Sequence, residues 1–493
     1  TFVFPANSDG VYFRLLRCQM SKIKMLPAMA KLRISFVFLL YILIKCESAN
    51  VDSISSDIRL KNVDRLVDIS SQLVKITSKI TLENTGASPV KNFLIAVEES
   101  AKNNVAFVGA KDSNNKDLRL VETTVKGYEY VRFWRVELKD AINSGATPLV
   151  TVETVFTKAL LPYPTAITQQ EDQLVKYIGN LYTYSPYYIT SMKTSVVLNT
   201  KSVETFTKVK PFTQQDGMIQ YGPYPNLKPF SEKELLIHYK NNAPFLTVTR
   251  VERLIEVSHW GNIAVEEVIE VEHTGAKLKG PFSRYDYQQD HHSGPASVRS
   301  YKTLLPASAS DVYYRDTNGN ISTSNMKVKK DSVELDLRPR YPLFGGWRTH
   351  YTLGYNVPSY EYLYQSGSDY LLKMRIIDHI FDDMQVDEVV TKIILPEGST
   401  SVKVNLPYPV TRLPDSLHYT YLDTKGRPVI SFSKKNVVEN HIQDFQLRYT
   451  FPRLLMLQEP LLVVGFLFTL FLCVIIYVRL DFSIHKSEHP HKE

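Results

Sequence analysis

Two histidine-bearing segments, a set of proline–tyrosine pairs and one asparagine are the residues of this chain whose type and spacing could support chemistry. In Asp290-His291-His292-Ser293-Gly294-Pro295 the adjacent imidazoles could bind a metal, while the Ser-Gly-Pro neighbours read as an exposed loop. Asp378-His379 with Asp382-Asp383 sets carboxylates beside an imidazole, which fits an acidic metal site or a charged turn at a strand edge. Tyrosine occurs 30 times, often beside proline: Pro162-Tyr163-Pro164, Pro186-Tyr187-Tyr188, Pro223-Tyr224-Pro225 and Pro407-Tyr408-Pro409. Such rings stack on sugars or a protein partner, or else pack strand edges where proline makes the turn. Asn320-Ile321-Ser322 is the single N-x-(S/T) sequon, and Asp316-Thr317-Asn318-Gly319 before it makes an exposed turn, so Asn320 is the expected glycan acceptor of a lumenal segment.

Local catalytic signatures are missing from the sequence. H-E-x-x-H, which would set two imidazoles and a base on one helix face, does not occur. Neither does a G-x-S-x-G elbow, a glycine-rich phosphate loop or a D-x-D pair for a metal-bound diphosphate. No catalytic residue, metal or cofactor is expected, and the chain is not expected to be an enzyme by itself.

The cysteines are Cys18, Cys46 and Cys473, so the long middle must be held by its core and not by disulfides or thiolate metal sites. A formal charge of +7 would suggest an anionic partner. Residues 1–48, however, hold seven basic against two acidic side chains, which leaves +2 for the rest. No direct nucleic-acid role follows.

The ends indicate where the chain goes. After the favoured start Met29, Lys31 and Arg33 precede the apolar run Ile34–Ile44, and Cys46-Glu47-Ser48 suits a cut after Ser48. That is the layout of a signal peptide. Leu461–Val478 is 18 residues without a charge, on the order of 27 Å as a helix, close to a bilayer's hydrocarbon thickness. Tyr477 and Arg479 suit the far interface. The expectation is a single-pass type I protein: upstream segment and signal 1–48, two lumenal domains, transmembrane helix 457–478 and a short cytosolic tail 479–493.

The middle alternates with period two, as in Val74–Glu83, where one face is apolar or small and the other polar. One stretch also recurs. Val63-Asp64-Arg65-Leu66-Val67-Asp68-Ile69-Ser70 matches Val251-Glu252-Arg253-Leu254-Ile255-Glu256-Val257-Ser258, and Thr85-Gly86-Ala87 matches Thr274-Gly275-Ala276. The fold expected is mainly β, with two tandem β-sandwich-like domains at 49–243 and 244–456 and one transmembrane helix after them.

Several strings resemble the ribophorin I family of accessory oligosaccharyltransferase subunits: Arg338–Tyr364, Lys373–Phe381, Ile393–Gly398, His418–Pro428, Leu455–Val464 and Tyr477–Ser483. The resemblance covers essentially the whole mature chain. It implies a non-catalytic subunit of the complex that N-glycosylates nascent proteins in the rough endoplasmic reticulum membrane, aiding assembly and substrate presentation. It implies the catalytic and other subunits, nascent polypeptides, translocon and ribosome as partners. Animal members carry a helical cytosolic domain after the span; here fifteen residues follow Val478, through truncation or as in the short-tailed fungal members. Within the span, Gly465, Thr469 and Cys473 form a small-residue face that would allow close helix packing. The alternative reading is a type I cell-surface receptor or adhesion protein with tandem β domains, which explains the topology but not the family strings.

Overall fold

The first alternating segment forms the hairpin Ile58–Asp68 with Val74–Asn84, and its repeat forms Leu246–Val257 with Asn262–His273. The computed structural model describes residues 51–480; the leader 1–48 and all but the first two residues of the tail lie outside the described residues. Period two places Val63, Val67, Ile80 and Leu82 on the buried face of the first hairpin and Val251, Ile255, Ile269 and Val271 on that of the second. Opposed β-branched pairs such as Val63 with Ile80 and Val251 with Ile269 hold the register.

Each hairpin sits in a long sheet of the same topology. In the first half the order is Phe212–Gln215, Met218–Leu227, Ile189–Val197, Ile58–Asp68, Val74–Asn84, Leu149–Phe156, Val105–Asp112. In the second it is Thr411–Arg412, Arg427–Val438, Gln385–Ile394, Leu246–Val257, Asn262–His273, Arg348–Pro358, Ser310–Asp316, with Gly319–Asn320 added at the edge. In both, the hairpin's first strand pairs in parallel with a later strand, Ile189–Val197 or Gln385–Ile394. Smaller sheets cover one face of each long sheet, and their inward side chains form the cores; Val67, Val196 and Tyr221 of the long sheet meet Val175, Leu235 and Ile237 of a small one. The structure is thus mainly β with a duplicated sandwich plan.

The duplication extends to details. Each hairpin is bulged at the same place, between Leu60 and Asn62 and between Val248 and Arg250. The Thr-Gly-Ala strings close the hairpins identically: Thr85 N–H donates to Asp57 O at 2.7 Å and Thr274 N–H to Phe245 O at 2.8 Å. A Cβ there would crowd neighbouring side chains: on Gly86 it would lie 2.5 Å from Asp57 Cγ, and on Gly275 2.2 Å from Gln173 Oε1, so either side chain would have to shift.

The two halves touch extensively. Ala166–Ile167 pairs in parallel with Lys277–Leu278 across the boundary, and Gln173 Oε1 accepts the Ala276 N–H at 2.8 Å. Thr157 Oγ1 donates to Asn436 Oδ1 at 2.6 Å, and Leu73, Val155 and Val438 make a small shared apolar cluster. The last strand, Asp444–Thr450, leads through the turn Arg453–Leu457 into the helix Gln458–Arg479. That helix is apolar enough to cross a membrane, and none of its residues is fully buried in the protein.

Candidate functional site

The bend Ile376–Met384, between Asp369–Arg375 and Gln385–Ile394, carries the acidic and histidine cluster singled out by sequence, and the fold divides it between two environments. Asp378 is not part of an exposed turn. It is 1% exposed and faces Arg253, whose Nη1 donates to Asp378 Oδ2 at 2.8 Å and to Glu267 Oε1. Tyr355 Oη donates to Asp378 and accepts from Arg253 Nη2 at 3.3 Å. The group lies between the long sheet and its cover. Burial by itself would lower the Arg253 pKa, but Asp378, Tyr355 and Glu267 outweigh it and hold the guanidinium charged. Burial raises the carboxyl pKa of Glu267, while Arg253 draws it back. Arg253 Nε and Asp378 Oδ1 have no hydrogen-bond partner, so the charge cluster is compensated but not fully satisfied.

The first half carries the equivalent arginine without the carboxylates. Arg65 Nη1 donates to the carbonyls of Asn180 at 2.6 Å and Tyr182 at 3.1 Å, and burial lowers its pKa. Where the second half packs Glu267, the strand-equivalent residue here is Ser78. A cleft of about 370 Å³ lies beside Arg65, lined by Glu98, Tyr177 and Asn180 among others.

His379, Asp382 and Asp383 face the other way, onto the junction between halves. His379 Nε2 lies 3.2 Å from Asp382 Oδ1 and 3.6 Å from a Glu439 oxygen. Asp383 N–H donates to Glu439 Oε1 at 2.6 Å, its carboxylate pairs with Lys75, and its carbonyl accepts from Gln72 Nε2 at 2.8 Å. The His379, Asp382 and Glu439 donor atoms lie within 4.8 Å of one another, close enough to share a cation. Positive charge at this point is already supplied by Lys75, which pairs with Asp383. Burial works against a charged His379, but Glu439 and Asp382 outweigh it and raise its pKa, while the nearby imidazole lowers the pKa of Glu439. The arrangement acts as an ionic latch joining Lys75 and Gln72 of the first half to the second.

The other sequence candidates are dispersed. His291 and His292 are exposed, and His292 N–H caps Asp290 at 2.8 Å. Of the proline-flanked tyrosines, Tyr187 and Tyr224 are buried and Tyr163 is exposed, and Tyr408 Oη donates to the His441 carbonyl at 2.9 Å. Packing therefore claims more of these rings than any continuous stacking surface does. Asn320 is exposed on the short edge strand Gly319–Asn320 opposite Arg315, and Ser322 is exposed beside it. Gly465, Thr469 and Cys473 lie on the terminal helix, where Thr469 Oγ1 donates to Gly465 O at 2.8 Å and a Cβ on Gly465 would meet open space.

Sequence reasoning missed the Arg253 group. A signal was present: Arg65 and Arg253 fall in the inward phase of their strands with Val63 and Val67 and with Val251 and Ile255. A cation in that phase implies buried acceptors.

The ribophorin I family model matches residues 58–478. A Caenorhabditis elegans protein named dolichyl-diphosphooligosaccharide–protein glycosyltransferase subunit 1 is 42% identical over 88% of this chain and 74% of its own length. Arabidopsis thaliana subunits 1A and 1B are 36% and 35% identical, over 88% and 89% of this chain and 72% and 96% of their own lengths. Among solved structures, an M1 zinc metallopeptidase from Deinococcus radiodurans overlaps 41% of this chain and 44% of its own at 12% identity and a TM-score of 0.23, a likeness too slight to carry an argument. With the family match running from the first hairpin into the terminal helix, this chain belongs to the ribophorin I family.

Proposed function

We propose that this chain is a non-catalytic subunit 1 of the oligosaccharyltransferase complex. In this reading the helix Gln458–Arg479 holds it in the rough endoplasmic reticulum membrane, and the two β domains, dividing near residue 244, lie in the lumen. The observation that carries the reading is the family match across residues 58–478, through both domains and the apolar helix. The names of the relatives support it. The chain then works by contact, aiding assembly with the catalytic and other subunits and presenting nascent polypeptides near the translocon and ribosome. Affinity capture of the tagged chain in mild detergent will return the other subunits, and its depletion will leave glycoproteins under-glycosylated. Exposure at the cell surface without such partners would refute the reading.

Two further outcomes follow. Exposure of Asn320 on its edge strand supports a glycan there, so endoglycosidase will shift the wild-type band on a gel and will not shift Asn320→Gln. The Gly465, Thr469, Cys473 face is proposed as a packing surface for another membrane helix. Gly465→Leu puts a branched side chain where that helix would approach, and co-purification of the complex will fall; unchanged recovery would sink the assignment.

A further inference from the structure

The second domain is joined to its helix by a stiff connection. Gln458 Nε2 donates to Glu397 Oε2 at 2.6 Å and to Thr424 Oγ1 at 3.0 Å. Arg427 donates to Glu459 and to Glu256, each at 2.9 Å, and bonds Asp423 at 3.1 Å. Glu397 Oε1 in turn accepts the Thr424 and Gly426 N–H groups at 2.9 and 3.1 Å. The ring of His259 stacks on Phe451 at 4.5 Å. Two loops are thereby fixed at the level of the helix's first turn: the hairpin turn Ser258–Gly261 and the segment Tyr419–Gly426.

These loops, with the turn before the helix, expose an unusual set of side chains. Trp260 is 63% exposed, Tyr421 is fully exposed, Leu454 is 80% exposed, and Leu422 and Leu457 are also exposed. Exposed cations, Lys425 and Arg453, lie among them. Their depth follows from the helix. Trp260 and Glu459 line one small cleft. Glu459 is two residues before the apolar run at Leu461, about 3 Å along the axis. The headgroup layer on each side of a bilayer is roughly 5–8 Å thick, so the cleft that Trp260 lines opens at the level of that layer. Aromatic rings with a polar edge prefer that layer, and cations there meet lipid phosphates.

We propose that this rim of the second domain is a lipid-binding surface, seated in the lumen-side headgroup layer with Trp260, Tyr421, Leu422, Leu454 and Leu457 immersed in it. The occupant is the phospholipid bilayer itself, because the surface is continuous with the helix that enters it. The rim sets the tilt of both β domains over the membrane. The inference needs the helix to span but does not need the glycosyltransferase assignment, so the two fail separately.

The test uses the full chain alone in lipid nanodiscs. With Trp134→Phe and Trp347→Phe, Trp260 is the one emitting tryptophan. Lipid brominated near the headgroup end of its acyl chains will quench its emission, and lipid brominated near the methyl ends will quench it less. Emission unaffected by either lipid, with free access to aqueous acrylamide, would overturn the proposal and point to a protein partner for the rim. Tyr421→Cys, with Cys18, Cys46 and Cys473 changed to Ser, gives a second reading at a side chain the fold does not use. A nitroxide there will be relaxed by lipid-soluble oxygen more than by a water-soluble nickel chelate, and the reverse order would also overturn the proposal.

Discussion

Replacing Arg253 by methionine will destabilise the second domain by about 3–5 kcal/mol, the range for removing one partner of a buried ion group. The reason is what stays behind. Glu267 and Asp378 are each 1% exposed, and without the guanidinium they face each other across a site closed to water. Pulse proteolysis of the full chain in detergent, read on fragments of residues 246–451, measures the loss. Combining Arg253→Met with Glu267→Gln and Asp378→Asn removes the uncompensated charges and will recover most of it. Failure of the triple variant to recover would mean that the arginine acts by shape and not by charge. Arg65→Met is the internal control. Its partners are the carbonyls of Asn180 and Tyr182 beside a cleft, so its loss will cost about 1–3 kcal/mol.

Acid will weaken the fold through two other buried side chains. His273 is 1% and His441 5% exposed, and burial lowers the pKa of each to about 4. His273 Nε2–H donates to Ala296 O at 2.9 Å, so the hydrogen-bond network assigns Nδ1 as the acceptor of the Gly275 N–H at 3.2 Å. His441 Nδ1 likewise accepts the Val438 N–H at 3.2 Å, with the ring against Tyr408 and Phe107. Protonation would turn each acceptor into a donor facing a donor.

The sign follows from linkage. The folded pKa lies below the unfolded value of about 6.5, so the unfolded chain binds more protons between the two values. Stability is full above the unfolded pKa and falls as pH drops toward the folded one. From pH 7 to pH 5 each histidine removes about 2 kcal/mol. His379 titrates the other way. Its raised pKa adds stability below its unfolded value and loses it as pH rises through the folded one. Denaturation midpoints at pH 7 and pH 5 will therefore differ more in His379→Gln than in wild type, and less in His273→Asn with His441→Asn. An unchanged pH slope in the double asparagine variant would rule out these two groups as its source.

How much was legible in the sequence depends on how far apart the interacting residues lie. The hairpins, their buried faces and the spanning helix follow from periodicity and from an uncharged run, which are properties of neighbouring residues. The duplication was legible as well, because Val-(Asp/Glu)-Arg-Leu and Thr-Gly-Ala keep the bulged hairpin and its closure in both halves. The long parallel pairings were not. Ile189–Val197 reaches its partner from more than a hundred residues away, and no local pattern selects it.

The sequence by itself determined the two β domains, the membrane helix and the family strings, because each is written in residue order or short-range alternation. Tertiary structure alone decided that Asp378 would neutralise Arg253 while Asp383, on the same bend, latched the halves together through Lys75 and Gln72. Residues on one bend project to different sides, and only the packed sheets determine what waits on each side. It also decided that Trp260, Lys425 and Leu457, distant in the chain, share one rim. Ion pairs and membrane-facing surfaces depend on proximity through space, which the order of residues does not record.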